Sequence, residues 1–363
     1  MKRLALPFAL LLACGGPFRA PPPVESIALP AGSQLKPYDS SQPGKARPQG
    51  LEQAAGRVYV TLSNQRDDFS NAGPGFLAYF VPSVGTVSLI DLGGADSHQC
   101  QNPGFVRASA DGRLHVPCSG DFSGADGARA IVEVDPLANI VTRRAAIPDG
   151  RVPNGVAATA NRIWTGDAFS TTVFAFDRAT LAADPVAPVP VDCPKSVFSY
   201  VADVIAFKND LWALCGSDIS GALYRLDPDT GAVRGQVIVG PNPTEMAGLD
   251  DGRLVVVNAG DSTISLVAVS PTLSAQKVFT FSSQNGALQD IRAWGHILFT
   301  VASAFNTAQR IDLDAQGGPK VVGEASFGAN SGPYNILPLD DTQAIVSNRG
   351  TNTIAAAHWV TGQ

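Results

Sequence analysis

Seven copies of one short pattern occupy most of the 363-residue chain and restrict its possible folds more than any other feature. The copy that begins at Pro48 aligns without gaps on the copy that begins at Pro153, and one with an extra residue begins at Asn102. In each copy a short apolar run and a polar turn precede a strongly β-prone run. These second runs begin at Val58, Leu114, Ile163, Leu211, Leu254, Ile297 and Ala344, between 43 and 56 residues apart. Repeats of this length with several strands each are typical of β-propeller blades.

Two further strands can be recognised in most copies. The clearest pair, Leu223–Leu226 and Val233–Val239, flanks the turn Asp227–Gly231, where proline presets one backbone angle and glycine supplies a positive φ. With 36 Gly and 27 Pro, the chain is also poorly suited to long helices. We therefore predict an all-β fold: one propeller domain, residues 24–363, of seven four-stranded antiparallel blades.

The seventh copy is one strand short, because the chain ends soon after Ile354–Trp359. The segment Val24–Pro30 has the length and composition of a strand, and it precedes the first copy. We predict that it completes the last blade and covers an otherwise open sheet edge. The alternative is a disordered N-terminal arm, which would leave that edge unpaired.

Residues 1–13 combine a charged start with a short apolar run that is typical of a secretory signal. The run ends in Leu11-Leu12-Ala13-Cys14, which resembles the lipobox of bacterial lipoproteins. The resemblance implies that Cys14 is acylated, that residues 14–23 form a proline-rich tether, and that the lipid attaches the protein to a membrane. Gly15 after the cysteine favours the outer membrane, on its periplasmic face or at the cell surface. An ordinary signal peptide with a chance cysteine remains the alternative.

The stretches that begin at Val256 and Ile345 resemble the YVTN repeat, in which an asparagine and glycine turn joins the second and third strands. Val58-Tyr-Val-Thr and Gly85-Thr-Val-Ser-Leu are weaker versions of it. The resemblance extends over most of residues 48–363. It implies a seven-bladed propeller, often outside the cytoplasm, and it brings no catalytic motif.

Four cysteines remain besides Cys14, and their places in the repeats select one pairing. Cys100 and Cys193 each enter a blade, while Cys118 and Cys215 end the second strand of that same blade. Both places belong to one face of a propeller, so we predict the disulfides Cys100–Cys118 and Cys193–Cys215 and an oxidising compartment. A zinc site is the alternative, although no Cys-x-x-Cys spacing and no nearby histidines favour it.

Acidic residues recur in the loops after the second strands, and they are the candidates for a binding face or a hard cation. Turn formation explains them more simply, and we predict no metal site. The four histidines are scattered, and the aromatic residues Tyr59, Trp164, Trp212 and Phe299 are expected to pack between blades. The candidate loop residues are Asp121, Asp126, Asp167, Asp218 and Asp261.

The net charge of −6 makes nucleic acid an improbable partner, because phosphate backbones require a basic surface. No nucleophile elbow, zinc-protease or phosphate-loop motif is present, so no catalytic residue and no cofactor is predicted. Two function classes fit: a non-catalytic binding or scaffold module for a protein or glycan, and an enzyme of the lactonase or lyase type that uses the central channel. The sequence favours the binding module.

Overall fold

The computed structural model describes residues 23–95, 98–120, 128–147, 150–184, 188–281 and 288–359. These residues form seven four-stranded antiparallel sheets, as predicted. The short strand β1 is Ser26–Ala28. Blade 1 contains β2 (Pro48–Ala54), β3 (Arg57–Leu62), β4 (Phe76–Phe80) and β5 (Ser88–Asp91), and blade 2 contains β6 (Arg107–Ala108), β7 (Leu114–Ser119), β8 (Arg129–Asp135) and β9 (Ile140–Ala146).

Blades 3 to 7 repeat this order. Blade 3 contains β10 (Pro153–Ala158), β11 (Arg162–Asp167), β12 (Thr172–Asp177) and β13 (Val189–Pro190). Blade 4 contains β14 (Ser199–Phe207), β15 (Asp210–Ser217), β16 (Gly221–Leu226) and β17 (Val233–Val239). Blade 5 contains β18 (Pro243–Gly248), β19 (Leu254–Asn258), β20 (Thr263–Ala268) and β21 (Ser274–Thr280). Blade 6 contains β22 (Leu288–Trp294), β23 (Ile297–Ala302), β24 (Thr307–Asp312) and β25 (Lys320–Ser326), and blade 7 contains β26 (Pro333–Pro338), β27 (Gln343–Asn348) and β28 (Thr353–His358).

The first strands of neighbouring blades contact one another and surround the central channel. We call the face that carries the turns between second and third strands, together with the connections between blades, the upper face. The lower face carries the turns between first and second and between third and fourth strands. In the described residues the only helical segments are two short 3₁₀ turns, Gly32–Leu35 and Ser303–Phe305, and no helix there could span a bilayer.

The core lies between the blades rather than within them. Tyr59, Trp164, Trp212 and Phe299 are at most 1% exposed, and each packs against the apolar residues of the following blade. This confirms the predicted packing role, since large rings fill the wedge between twisted sheets.

The N-terminal strand completes the ring, as predicted. In β1, Ser26 pairs with Ala355, Ile27 with Ile354 and Ala28 with Thr353 of β28. The side chain of Ile27 is buried in the core between blades 7 and 1, so the strand contributes packing as well as hydrogen bonds. The paired segment is shorter than the predicted Val24–Pro30. Blade 7 therefore has four strands, and its outer edge is covered.

The structure supports both predicted disulfides. Cys100 is paired with Cys118 and Cys193 with Cys215, with Cα atoms 5.3 Å and 5.5 Å apart. Each disulfide ties the connection that enters a blade to the upper end of that blade's second strand. Disulfides persist in oxidising environments, so the pairs indicate an extracytoplasmic location.

Candidate functional site: the upper mouth of the channel

β-Bulges in the first strands shape the upper mouth of the channel. The register between first and second strands shifts in six of the seven blades, for example between Pro243 and Glu245. A bulge leaves a residue unpaired and can redirect its side chain. The residues left unpaired in blades 4 to 7 all line the same cavity: Ala202, Thr244, Gln289 and Tyr334.

This mouth cavity has a volume of about 430 Å³, within the range of small-molecule sites. Its upper rim includes Phe69 and Arg349, from the turns between second and third strands in blades 1 and 7. The lining is rich in side-chain amides and aromatic rings: Gln49, Gln65, Asn102, Asn154, Gln289, Phe69, Phe105, Tyr200 and Tyr334. Amides and rings are suited to hydrogen bonding and stacking with a polar ligand.

One residue from each blade surrounds the channel at the base of the cavity. It lies at or next to the bulge of the first strand or, in blade 2, in the stretch just before β6. We call this set the channel ring: Gly50, Gly104, Gly155, Asp203, Glu245, Asp290 and Asn335. Its members join neighbouring blades. The Gly50 N–H donates to the Gly104 carbonyl at 2.9 Å, and the Ile336 N–H donates to Asp290 Oδ2 at 2.9 Å. The ring thus has three glycines on one side and four polar side chains on the other.

The carboxylates of the ring are buried together with two arginines. Asp203, Glu245 and Asp290 are at most 3% exposed. Arg107 Nη2 lies 3.2 Å from Glu245 Oε2 and 3.5 Å from Asp203 Oδ2, and Arg292 Nε lies 3.7 Å from Asp290 Oδ2. Three carboxyl groups therefore face two guanidinium groups. One retained proton makes the cluster neutral, which a buried site favours.

The buried cluster raises the pKa values of its acids. Burial, followed by the nearby Asp203 and Asp290 carboxylates, raises the pKa of Glu245 well above its ordinary value. Burial also raises the pKa of Asp203, against the opposing effect of Arg107. Burial alone disfavours the charge of Arg107, but the neighbouring acidic groups, Asp203 first, raise its pKa. Glu245 also lines the mouth cavity, so a carboxyl group with a raised pKa faces the ligand there.

A stack of alternating cations and rings forms one wall of the cavity. The Arg349 guanidinium lies between two aromatic side chains, 5.4 Å from the Phe69 ring centre and 5.2 Å from that of Tyr334. The Arg47 guanidinium also contacts Phe69, 5.0 Å from the ring centre. Phe69 has a positive φ of 64°, and its side chain is 53% exposed. Because the ring has few other neighbours, its contacts with the two arginines hold it at the rim.

The three predicted loop aspartates that the structure describes, Asp167, Asp218 and Asp261, do not line this cavity. Asp167 accepts hydrogen bonds from the Phe169 N–H and the Ser170 hydroxyl, and Asp261 accepts one from the Thr263 hydroxyl. These contacts are those of turn-forming residues. Asp218 is exposed, and Asp121, Asp126 and Cys14 lie outside the described residues. Within the described part of the chain, no group of three His, Cys, Asp or Glu side chains could hold a metal ion.

Sequence reasoning missed the residues that do form the site. Asp203, Glu245, Asp290 and Asn335 occupy one register in four consecutive blades, immediately after Ala202, Thr244, Gln289 and Tyr334. Aligning the seven first runs by that register would have revealed a polar position within an otherwise apolar strand. The same alignment would not have identified Arg107. The second copy has one extra residue, so Arg107 does not fall at the register shared by the other copies.

No known protein-family profile matches the chain, and no curated protein sequence does. Solved structures do match it. Virginiamycin B lyase from Staphylococcus aureus is 13% identical, with 93% of this chain and 99% of that chain covered and a TM-score of 0.64. A putative 6-phosphogluconolactonase from Bacteroides fragilis is 16% identical, with 84% and 92% covered and a TM-score of 0.64. Hydrazine synthase of Kuenenia stuttgartiensis is 11% identical, with 88% and 97% covered and a TM-score of 0.67. At these identities the similarity shows the fold: the chain is a seven-bladed β-propeller.

Proposed function

We propose that this protein is a lipid-anchored lipoprotein of the bacterial cell envelope, with YVTN-type repeats, that acts as a non-catalytic binding module. Its ligand, presented by a protein or glycan partner, would occupy the mouth cavity. The signal-like residues 1–13, the cysteine at position 14 and the two disulfides support the location. The outer membrane is the proposed site of attachment.

One observation carries the binding role: the lining of the mouth cavity. Amide side chains and aromatic rings predominate there, and Glu245 is the only carboxyl group among the described residues that line it. Sites of this composition recognise polar ligands through hydrogen bonds and ring stacking. A rigid ring of seven sheets holds these groups in place without requiring a conformational change.

The test is capture of the partner from the protein's own envelope fraction by the full-length chain, with mass spectrometry of the bound material. Phe69→Ala removes the exposed ring at the cavity rim and should reduce capture at least fivefold. Phe169→Ala is the matched control, because Phe169 is also exposed in a second-to-third-strand turn but does not line the cavity. Equal capture by both variants would contradict the binding role of the cavity.

An enzymatic role is the second candidate, and Glu245 is the observation that favours it. A carboxyl group that keeps its proton beside a ligand can act as a general acid. The structural neighbours include a lyase and a putative lactonase. If the cavity is catalytic, the wild-type protein should convert a captured ligand, and Glu245→Gln should abolish conversion while preserving capture. Recovery of the ligand unchanged from the wild-type protein would contradict this candidate.

A further inference from the structure

Arg349 lines the mouth cavity, and no described carboxylate pairs with it. It follows β27, and its N–H donates to the Gly332 carbonyl at 3.0 Å, which fixes its backbone at the rim. Among the described residues, the polar contact of its side chain is a long one, from Nη2 to Gln65 Oε1 at 3.4 Å. Its Nε is buried and has no hydrogen-bond partner there. A buried donor without a partner is costly, so the site favours an acceptor supplied from the cavity.

Other partly buried arginines of this protein contact carboxylates. Arg107 contacts Asp203 and Glu245, Arg143 contacts Glu133, and Arg162 contacts Asp184. Burial lowers the pKa of Arg349, yet a guanidinium remains charged at neutral pH. Arg349 is thus a cation between two rings, held in place but not neutralised by an acid among the described residues.

Two hydroxyl groups of the bulge residues complete a set of donors. Thr244 Oγ1 is buried and has no hydrogen-bond partner among the described residues, and Thr244 lines the cavity. Burial raises the pKa of Tyr334, so its hydroxyl keeps the proton that it can donate. Tyr334 lines the same cavity and also stacks on Arg349.

We propose that the mouth cavity binds its ligand through a small oxyanion, a carboxylate or a phosphate, that is held by the Arg349 guanidinium. The Thr244 and Tyr334 hydroxyl groups are the further donors. This inference rests on the proposed binding function and specifies the chemistry of the ligand. A guanidinium presents donors in a planar fork that matches an oxyanion, and the cavity is large enough for a sugar ring or a short side chain attached to it.

The experiment compares three probes by isothermal titration calorimetry on the full-length protein: glucuronate, glucose and inorganic phosphate. Glucuronate and glucose share a ring and differ in the carboxylate. The wild-type protein should bind glucuronate or phosphate at least about tenfold more tightly than glucose, and Arg349→Gln should remove that preference. Binding of glucuronate alone identifies a carboxylate ligand, and binding of phosphate alone identifies a phosphate-bearing one.

Arg57→Gln is the matched control. Arg57 also stacks on a ring, with its guanidinium 5.8 Å from the Tyr79 ring centre, but it lies at the lower face. This variant should bind the anions as the wild type does. Arg349→Lys keeps the positive charge but lacks the planar guanidinium, so it should retain part of the anion affinity. If Arg349→Gln does not fold, Arg349→Lys is the variant to compare with the wild type.

Three results would overturn the inference: glucose bound as tightly as both glucuronate and phosphate, anion binding unaffected by both Arg349 variants, or no anion binding by the wild type at millimolar concentrations. These results differ from a failure of the proposed function. If partner capture still depends on Phe69 but no anion binds, the proposed binding role is supported and the proposed oxyanion ligand is rejected.

Discussion

At the scale of single residues, Gly155 shows how closely neighbouring blades approach in the channel ring. A Cβ atom at this position would lie 2.8 Å from both Asp203 Oδ1 and the Val204 nitrogen of the next blade, and the backbone has a φ of +69°. Both the contact and the left-handed conformation require glycine. Gly50 is similarly restricted, since an added Cβ would lie 2.7 Å from the Gly104 carbonyl oxygen. Close packing between blades therefore requires glycine at two of the three glycine positions of the ring.

We expect Gly155→Ala to lower the free energy of unfolding by roughly 2 to 4 kcal/mol, measured by urea denaturation. Gly112→Ala is the control, since Gly112 has a φ of +80° but no atom within 4 Å of the added Cβ. It should cost only about 1 kcal/mol. Equal losses in the two variants would show that backbone conformation, not blade contact, sets the requirement at position 155.

Glu245 gives the stability a dependence on pH. Its pKa is raised in the folded protein, so the folded state holds a proton that the unfolded state releases above its ordinary pKa of about 4.3. The resulting stabilisation is complete at low pH and is lost as the pH rises towards the raised value. The groups that face Glu245 are Arg107, Asp203, Asp290, Arg292 and Tyr334.

Glu245→Gln should resemble the protonated residue at every pH. Relative to the wild type, the variant should gain up to about 1.4 kcal/mol of unfolding free energy per pH unit as the pH rises from the ordinary glutamate pKa towards the raised one. Denaturant titrations at each pH measure the difference. Asp218→Asn, which changes an exposed carboxylate outside the cluster, should give a constant difference. A constant difference for Glu245→Gln as well would mean that Glu245 is ionised in the folded protein.

At the scale of elements, β1 forms only three residue pairs but completes the last blade. Removing residues 24–30 takes away its pairing with β28 and the buried side chains of Ile27 and Leu29. We expect the deletion to lower the unfolding free energy by roughly 3 to 6 kcal/mol, the value for burying two large aliphatic side chains. Thermal and urea unfolding would measure this.

Removing residues 15–23 instead should leave the unfolding free energy unchanged, because the composition of this proline-rich segment is that of a tether rather than of a strand. Ile27→Ala offers a smaller change in the same strand and should cost about 2 to 4 kcal/mol. Stability of the 24–30 deletion equal to that of the full chain would contradict the role assigned to the strand.

The elements could be predicted from the sequence far better than the site. Strands such as β11 and β19 can be predicted from short β-prone runs and from the Gly, Asn and Asp turns beside them, because these signals extend over only a few residues. The disulfides followed from the repeat alignment. Glu245 and Arg107 are 138 residues apart and meet only because the first strands surround one axis. Arg349 lies within a recognised repeat, but its lack of an acidic partner is a property of the folded molecule.

At the scale of the whole molecule, the two faces have different roles. β1 starts at the lower face, where the Val24 N–H donates to the Pro82 carbonyl in the turn between β4 and β5. The mouth cavity opens on the upper face. A lipid on Cys14 would thus attach the propeller by its lower face, through a tether of residues 15–23 that spans at most about 30 Å. The proposed anchor directs the cavity away from the bilayer.

We expect the mature protein to begin at an acylated Cys14, which intact-mass spectrometry would detect as added lipid mass. More than one acyl chain gives durable attachment, so the wild type should remain in the membrane fraction. Cys14→Ala should not be acylated, and any processed protein should be soluble. An unmodified mature N-terminus in the wild type would contradict the proposed lipid anchor.

The closure of blade 7 also fixes an order in time. β1 is synthesised before the other described strands, and its partner β28 is synthesised after them. The pairing of Ser26 with Ala355 can therefore form only after blades 1 to 6 have been synthesised. Pairings between distant residues form slowly because a long loop has to close first. Until synthesis ends, blade 7 is absent and β1 has an unpaired edge. A chain halted before β28 can complete six blades but cannot close the ring, so ring closure distinguishes a finished chain from a truncated one.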